Sequence, residues 1–484
     1  MGQYVGKLFN NYPRTIAGVY NRVGHKRKRI DLEDDKELEK SFHHPKKVKL
    51  ACTTKYIYKA LFLDGGDYDI CVDILGKEWK LHKIYLQQAP YFASMFSGSW
   101  KESNKSHITI EVVDPNITIE SLDIVLGSLY FDEPSILPSN VVNILAAATL
   151  FQMEGIIEQS INLMIENMSP LTAVIYYDAS RQYGIQRVND AAKEWFSLNL
   201  LTFYPDHPQE LKFLDQDLMM ELVADNNLVV IPTEFALYCL LKVWLFMKLN
   251  PEWVYRDDSD LTSIDQFYKN RTEKGPLLLT LDGRKFMKVF KCLRINNLLL
   301  NLEDLKLLIA DFIIPRSWIY PKVLSHYETM LKICSSCDKG PALELTTKEF
   351  LNSSLRCGRI ITSSNNSHSW HWNLFNFGLH LIWTVSKNSV TVHRIRKTND
   401  YLNIDDNKAR NILVRVRVIN LNKLKQIQHH SCSEVTSVPL VQNSEVKVLI
   451  LKKEIEYPVL VSVNLLFFTP EHKSINFKAE SLFE

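Results

Sequence analysis

The chain has 484 residues, of which 46% are hydrophobic and 23% are charged, and its formal net charge is +2. This length accommodates two to four domains with cores of their own, and the balanced charge gives no reason to expect a nucleic acid as partner. The eight cysteines are scattered and no apolar secretory leader is evident, so we expect free thiols in a reducing nucleocytoplasmic compartment.

Residues 1–54 are predicted to be a disordered tail, because basic and acidic blocks alternate there with few periodic apolar positions. The basic residues form two clusters that are candidate nuclear-import signals, read by importin: Lys26, Arg27, Lys28, Arg29, Lys46, Lys47 and Lys49. The alternative is that these basic residues are merely a solvated run of charges.

Gly2 is a candidate for myristoylation, although Gly6 stands where that pattern calls for Ser or Thr. A single myristoyl chain needs a second signal for stable membrane binding.

From residue 55 to residue 168 the pattern alternates between short helices and short strands. Helices are predicted at 56–62, 83–96, 119–130, 141–151 and 156–168, and strands at 70–75, 79–81 and 108–112.

The next region, 169–345, is predicted to be wholly helical, with a polar interruption near 257–275. Its predicted helices are 171–183, 185–198, 209–214, 217–224, 234–249, 283–294 and 302–310. The apolar run 235–249 contains Lys242 and Lys248 and falls short of the roughly 20 residues of a membrane span, which favours a buried helix.

Residues 346–484 are rich in Val and Ile, with turn signals between the runs, and predict an all-β sandwich. The predicted strands are 385–396, 412–419, 446–451 and 459–467. The fold class is therefore multidomain α+β.

One ordered set of residues makes the region 55–168 specific. Asp69 precedes the first strand, Leu81-His82-Lys83 begins a helix, and Phe92 and Met95-Phe96 end it. This set resembles the BTB domain. Taken alone, His82 is more typical of a structural histidine than of a catalytic one.

The BTB resemblance implies two contacts. The first helix of such domains packs against its twin in a homodimer, and Tyr56, Leu61 and Phe62 would provide that apolar face. Trp100, Lys101 and Glu102 match the element by which some BTB proteins dock on cullin-3. The alternative is that Trp100 plugs the domain's own core.

The helical region resembles the BACK domain that follows BTB in cullin-3 adaptors, through Glu234, Ala236, Leu240 and Val243-Trp244. Further motifs are similar to the germ cell-less family of BTB proteins. They include Met95–Ser103, Gly127–Tyr130, Arg356–Arg359, Trp370–Trp372 and Phe375–Gly378. The resemblance implies a substrate-recruiting adaptor for a cullin-3 ubiquitin ligase, located at the nucleus, its matrix or its envelope, with a role in germ-cell formation.

No Walker loop, dinucleotide fingerprint, nucleophile elbow or His-Glu-x-x-His occurs, so neither an enzyme nor a cofactor is expected. Cys334 and Cys337 could start a zinc site, but no defensible spacing completes it, and no metal is predicted.

Trp370 and Trp372 are candidates for substrate binding, with sandwich core as the alternative. The second function considered is a nuclear-envelope scaffold or transcriptional co-regulator that uses BTB only to dimerise.

Overall fold

The structure is a computed structural model, and it describes the chain in separate stretches. These are 53–98, 105–256, 259–271, 275–341, 344–363, 367–372, 377, 379–395, 409–453 and 456–470. The described residues form two compact units, the first up to Trp195 and the second from Phe196. Among them there is no helix that combines the length and the apolar character needed to cross a bilayer.

The first unit contains a small sheet surrounded by helices. Its strands are β1 Ile70–Ile74, β2 Lys77–Leu81 and β3 His107–Ile110. Its helices are α1 Thr53–Ile57, which continues as a π-helical turn Tyr58–Leu63, then α2 Lys83–Leu86, α3 Pro90–Met95, α4 Ile119–Gly127, α5 Val141–Leu150, α6 Glu154–Glu166, α7 Ala173–Gln182 and α8 Gln186–Asn199, whose residues from Phe196 onward belong to the second unit.

The sheet has the order β2-β1-β3, with β1 antiparallel to β2 and parallel to β3. Alternate residues of β1 are fully buried, namely Ile70, Val72 and Ile74. The sheet therefore has one face against the helices and one toward solvent, as the period of two requires. Only the first of these faces contributes to the core.

The predicted single helix over 83–96 is wrong: the structure has two helices, α2 and α3, separated by residues 87–89. Pro90 is the first residue of α3. Proline has no backbone N–H to continue a preceding helix, and it disfavours helical backbone in the residue before it, so the helix restarts there.

The second unit begins with helices. They are the 3-10 helix Pro208–Phe213, α9 Gln216–Ala224, α10 Glu234–Leu249, α11 Ser259–Lys269, α12 Leu281–Arg284, α13 Met287–Lys291, α14 Leu302–Asp311, α15 Arg316–Cys334 and α16 Thr347–Ser353. As predicted, α10 is buried along nearly its whole length.

Three of these helices were missed, including α16, which lies in the region predicted to be all-β. The predicted polar interruption contains α11, whose Leu261, Ile264 and Tyr268 are buried at helical spacing. α15 was not predicted; Pro321 lies inside it, and several of its apolar residues face solvent instead of following a buried periodicity.

The β region forms two antiparallel sheets, which confirms the predicted sandwich-like fold. One has the order β10-β8-β12-β4 with β9 paired to β8, and the other has the order β11-β7-β6-β5. The strands are β4 Leu355–Ile361, β5 Ser367–Trp372, β6 His380–Ser386, β7 Ser389–Ile395, β8 Arg410–Leu421, β9 Ile427–Cys432, β10 Thr436–Leu440, β11 Glu445–Ile450 and β12 Val459–Leu466. Buried residues of both sheets form one core cluster.

Residues 196–345 of the predicted helical region lie in one compact unit with the β-rich region, although the two were predicted as separate domains meeting near residue 345. Residues 169–195 of the predicted helical region belong to the first unit. A buried ion pair joins them: Arg356 of β4 donates from Nε and Nη2 to the two carboxylate oxygens of Glu234 on α10, at 2.7 and 3.0 Å. Arg356 Nη1 also donates to the carbonyl oxygens of Val223 and Asp225. Helix and sandwich are therefore held together by a fully engaged guanidinium.

Gly358, two residues after Arg356, lies at the same junction, and the packing there explains why this residue has no side chain. A Cβ on Gly358 would lie 2.7 Å from the carbonyl oxygen of Val461 and 2.9 Å from that of Val230. The N–H of Gly358 donates to the carbonyl of Pro232 at 3.1 Å. The Arg356–Arg359 motif thus encodes the joint between the sandwich and the helices.

A second buried polar network lies within the helices. Lys242 of α10 donates to Asp265 of α11 at 2.6 Å and to Asp311 of α14, which also accepts from Tyr238 at 2.9 Å. Burial lowers the pKa of Lys242, but the two carboxylates more than offset this, and its pKa is raised overall. Lys242, which argued against a membrane span in the sequence, is a charge fully paired inside the protein.

Candidate protein-interaction surfaces

The segment predicted to form the dimer face contains one exposed, one half-buried and one buried side chain. Tyr56 is 75% exposed, Leu61 is half-buried and Phe62 is 8% exposed. The Phe62 ring stacks on that of Tyr58 at 5.2 Å and lies 5.4 Å from that of Tyr130. Phe62 therefore packs inside its own copy, and the outward part of the predicted face is Tyr56 with Leu61.

A glycine makes room for this packing. A Cβ on Gly127, at the end of α4, would lie 3.0 Å from Cε1 of Phe62 and 3.0 Å from Cε2 of Tyr58. The Gly127–Tyr130 motif thus supplies both the space and, through Tyr130, an aromatic neighbour for Phe62. These contacts fix the end of the α1 segment on the domain and leave Tyr56 and Leu63 exposed.

The residues predicted to dock on cullin-3, Trp100, Lys101 and Glu102, lie outside the described residues. So do the basic clusters and Gly2. Before the docking segment, Phe92 of α3 is buried and stacks on Phe151 with ring centroids 5.1 Å apart.

The Asp69 and His82 motif builds the entry to α2. The Asp69 carboxylate accepts a hydrogen bond from the N–H of Lys83 at 2.8 Å. His82 is buried, with Nε2 2.9 Å from the carbonyl oxygen of Gly66 and Nδ1 3.2 Å from the hydroxyl of Tyr130. Both ring nitrogens have protein partners, so this histidine holds the fold together and is not presented to a substrate.

The candidate substrate-binding residues Trp370 and Trp372 lie on β5, at one end of the strand order of its sheet. They are 9% and 8% exposed and belong to the sandwich core. The ring of Trp370 stacks on that of Trp383 at 6.4 Å, and the guanidinium of Arg359 lies 5.5 Å from it. Both indoles therefore lie in the sandwich core, which was the alternative to a role in substrate binding.

An exposed apolar stripe on α15 was not anticipated. Its members are Tyr320, Leu324, Tyr327 and Leu331, each between 48% and 59% exposed. Steps of four, three and four residues keep them on one face of a helix. Adjacent apolar side chains of this size at the surface mark interaction sites more often than isolated ones do.

The cysteines considered for zinc are separated by burial. Cys334 and Cys337 are exposed around the end of α15, whereas Cys357 is buried in β4, and burial raises the pKa of its thiol. Cys357 has the properties of a core residue.

Comparison with known proteins identifies the first unit. The BTB/POZ domain family matches residues 58–168, within the predicted 55–168. The chain is therefore a BTB-domain protein. "Kelch repeat and BTB domain-containing protein 8" of Homo sapiens is 28% identical over 182 residues, which cover 37% of this chain and 29% of that relative.

Other relatives match nearly the whole chain. "Protein germ cell-less" of Drosophila melanogaster is 34% identical over 497 residues, covering 98% of this chain and 87% of that protein. "Germ cell-less protein-like 1" of Homo sapiens is 33% identical, covering 90% of this chain and 85% of that protein. The chain belongs to the germ cell-less family of BTB proteins. The names of these relatives describe no enzymatic activity.

Proposed function

We propose that the protein is a dimeric substrate-recruiting adaptor of a cullin-3 ubiquitin ligase with a role in germ-cell formation. The observation that carries the proposal is the family membership over nearly the whole chain, with a BTB domain at residues 58–168. The BTB domain, with help from the helices after it, would hold the cullin through Trp100, Lys101 and Glu102. The second unit would hold the target.

The adaptor performs no bond chemistry in this proposal. A dimer presents two target sites and two ligase arms, so the effective concentration of the ligase at an acceptor lysine rises. Two features support different roles for the two units. The Arg356–Glu234 pair fixes the sandwich to the helices of the second unit, and the same unit has the exposed apolar stripe on α15. A rigid unit with an apolar surface suits the binding of a protein target.

Target abundance tests this function in cells. When Trp100→Ala with Glu102→Lys replaces the normal protein, targets of an adaptor accumulate because they are no longer ubiquitylated. An unchanged target level would instead favour a nuclear-envelope scaffold or transcriptional co-regulator that uses the BTB domain only for dimerisation.

Dimerisation is proposed to use Tyr56 and Leu61. Changing both to glutamate places two charges in a self-complementary contact, and the two-fold axis doubles that cost. We expect the mass measured by light scattering to fall from dimer to monomer, with the circular dichroism spectrum unchanged. The control is Ile84→Glu, because Ile84 is 72% exposed elsewhere in the same unit. If the double variant remained a dimer, the dimer interface would lie at other residues.

The basic clusters are proposed to direct the protein to the nucleus through importin, and Gly2 to attach it to the nuclear-envelope membrane. Replacing the four basic residues 26–29 and the lysines at 46, 47 and 49 by glutamine should shift a fluorescent fusion from nucleus to cytoplasm. Gly2→Ala should release the protein from the envelope and leave it nuclear. A fusion that still concentrates in the nucleus after the glutamine substitutions would contradict this proposed localisation.

A further inference from the structure

Three side chains of different ligand types meet on the solvent face of the BTB sheet. They are the thiol of Cys71, the carboxylate of Glu78 and the imidazole of His107, one from each strand. One ligand atom of each lies within 4.8 Å of the other two. Nε2 of His107 is 3.7 Å from Oε1 of Glu78.

Strand pairing brings these residues together. Cys71 is directly opposite His107 in the parallel pair β1–β3, and Asp73, two residues further along β1, is opposite Glu78 in the antiparallel pair β1–β2. Because alternate residues of a strand share a face, Cys71 and Glu78 are diagonal neighbours on the side away from the core. The sheet fixes the backbone of all three residues, so the distances between their ligand atoms depend only on the rotation of the side chains.

The spacing suits a small transition-metal ion. Zinc binds sulfur at about 2.3 Å and nitrogen or carboxylate oxygen at about 2.0–2.2 Å. In a tetrahedron, those bond lengths place the ligand atoms about 3.3–3.6 Å apart. The separation of 3.7 Å between His107 and Glu78 is already close to this range, and rotation about the side-chain torsions can supply the rest.

The charges also suit a dication. Burial raises the pKa of the Cys71 thiol, the negative charges of Glu78 and Asp73 add to this, and Lys80 opposes it. A thiolate, a carboxylate and a neutral imidazole together carry two negative charges, which a divalent ion balances. An exposed His–Glu pair alone contributes little to stability.

We propose that Cys71, Glu78 and His107 bind a zinc-class divalent ion, with water as the fourth ligand. Binding forms a metal–sulfur bond, breaks the S–H bond of Cys71 and releases that proton to solvent, with no change of oxidation state. The ion would tie the ends of three strands together on the face that the helices leave open. The sequence pattern predicted no metal because the ligands come from three strands, outside any contiguous motif.

Metal titration of the full-length protein tests the site. The background carries Cys334→Ser and Cys337→Ser, because this exposed pair offers competing thiolates. After chelation, Zn²⁺ affinity is measured by competition with a chromophoric chelator, and Co²⁺ is added to look for a thiolate-to-cobalt charge-transfer band. We expect that band in the background protein. We expect Cys71→Ser to abolish it and to weaken Zn²⁺ binding by more than the 10- to 100-fold typical of losing a residue that only orients a metal ligand.

Control variants make the outcome decisive. Cys432→Ser removes another exposed thiol and should leave both signals unchanged. His107→Gln and Glu78→Gln alter exposed side chains, so they report on the site even if Cys71→Ser fails to fold. They should each weaken Zn²⁺ binding at least tenfold. A cobalt–thiolate band that persists in Cys71→Ser, or Zn²⁺ affinity unchanged in the other two variants, would overturn the proposal.

Discussion

Arg356→Met is expected to destabilise the second unit by about 3–5 kcal/mol, because it leaves the carboxylate of Glu234 buried without its main partner. Glu234 is fully buried and Arg356 is 1% exposed. The next cation, Arg294, has its Nε 3.9 Å from the Glu234 carboxylate, too far for a hydrogen bond. Burial, reinforced by the charge of Arg356, lowers the pKa of Arg294 to about 10.

Urea unfolding followed by tryptophan fluorescence measures this effect, since Trp244 and Trp383 are buried in the second unit. The matched control is Arg284→Met, which removes an exposed arginine and should change the free energy of unfolding by less than about 0.5 kcal/mol. Adding Glu234→Gln to Arg356→Met should recover part of the loss, because the buried carboxylate is then replaced by a neutral amide. Equal unfolding midpoints for Arg356→Met and the wild type would show that the pair does not stabilise the junction between helices and sandwich.

The cullin-docking substitutions are expected to have the other large effect. Truncating a tryptophan at the centre of an interface typically costs at least about 2 kcal/mol, which corresponds to a roughly thirtyfold loss of affinity. Glu102→Lys adds a reversed charge, which costs more if a basic side chain of the cullin faces it. Trp100→Ala with Glu102→Lys should therefore weaken cullin-3 binding at least about thirtyfold.

A matched control exists in the same domain. Tyr68→Ala with Glu111→Lys removes one exposed aromatic ring and reverses one exposed charge, as the docking variant does. Tyr68 contacts Lys80 through its ring and lies outside the predicted docking segment. We expect this control to bind the cullin with unchanged affinity. Loss of binding in both variants would point to a general effect of surface charge.

Local and periodic features of the fold were predictable from sequence. The alternation of β1 and the apolar length of α10 both appear at the predicted places. The break at Pro90 could also have been predicted, because proline begins a helix more readily than it continues one. By contrast, α11 has a polar composition and becomes a helix through burial of a few residues, including Ile264 and Tyr268.

The candidate sites depended on information that one sequence does not contain. Phe62 and Tyr56 belong to the same apolar pattern, and only the space left by Gly127 decides that Phe62 turns inward. The joining of Arg356 to Glu234 spans 122 positions, so no spacing rule could reveal it. Family resemblance supplied Trp100 and Glu102, whose position no periodicity would single out.

Titration of purified full-length protein with cullin-3 tests the adaptor role most directly. Calorimetry would compare the wild type, Trp100→Ala with Glu102→Lys, and Tyr68→Ala with Glu111→Lys, with circular dichroism confirming that each is folded. The adaptor role predicts one cullin bound per BTB copy in the wild type and the control, and affinity at least about thirtyfold lower in the docking variant. Equal affinity in all three folded proteins, or no binding by the wild type, would contradict it.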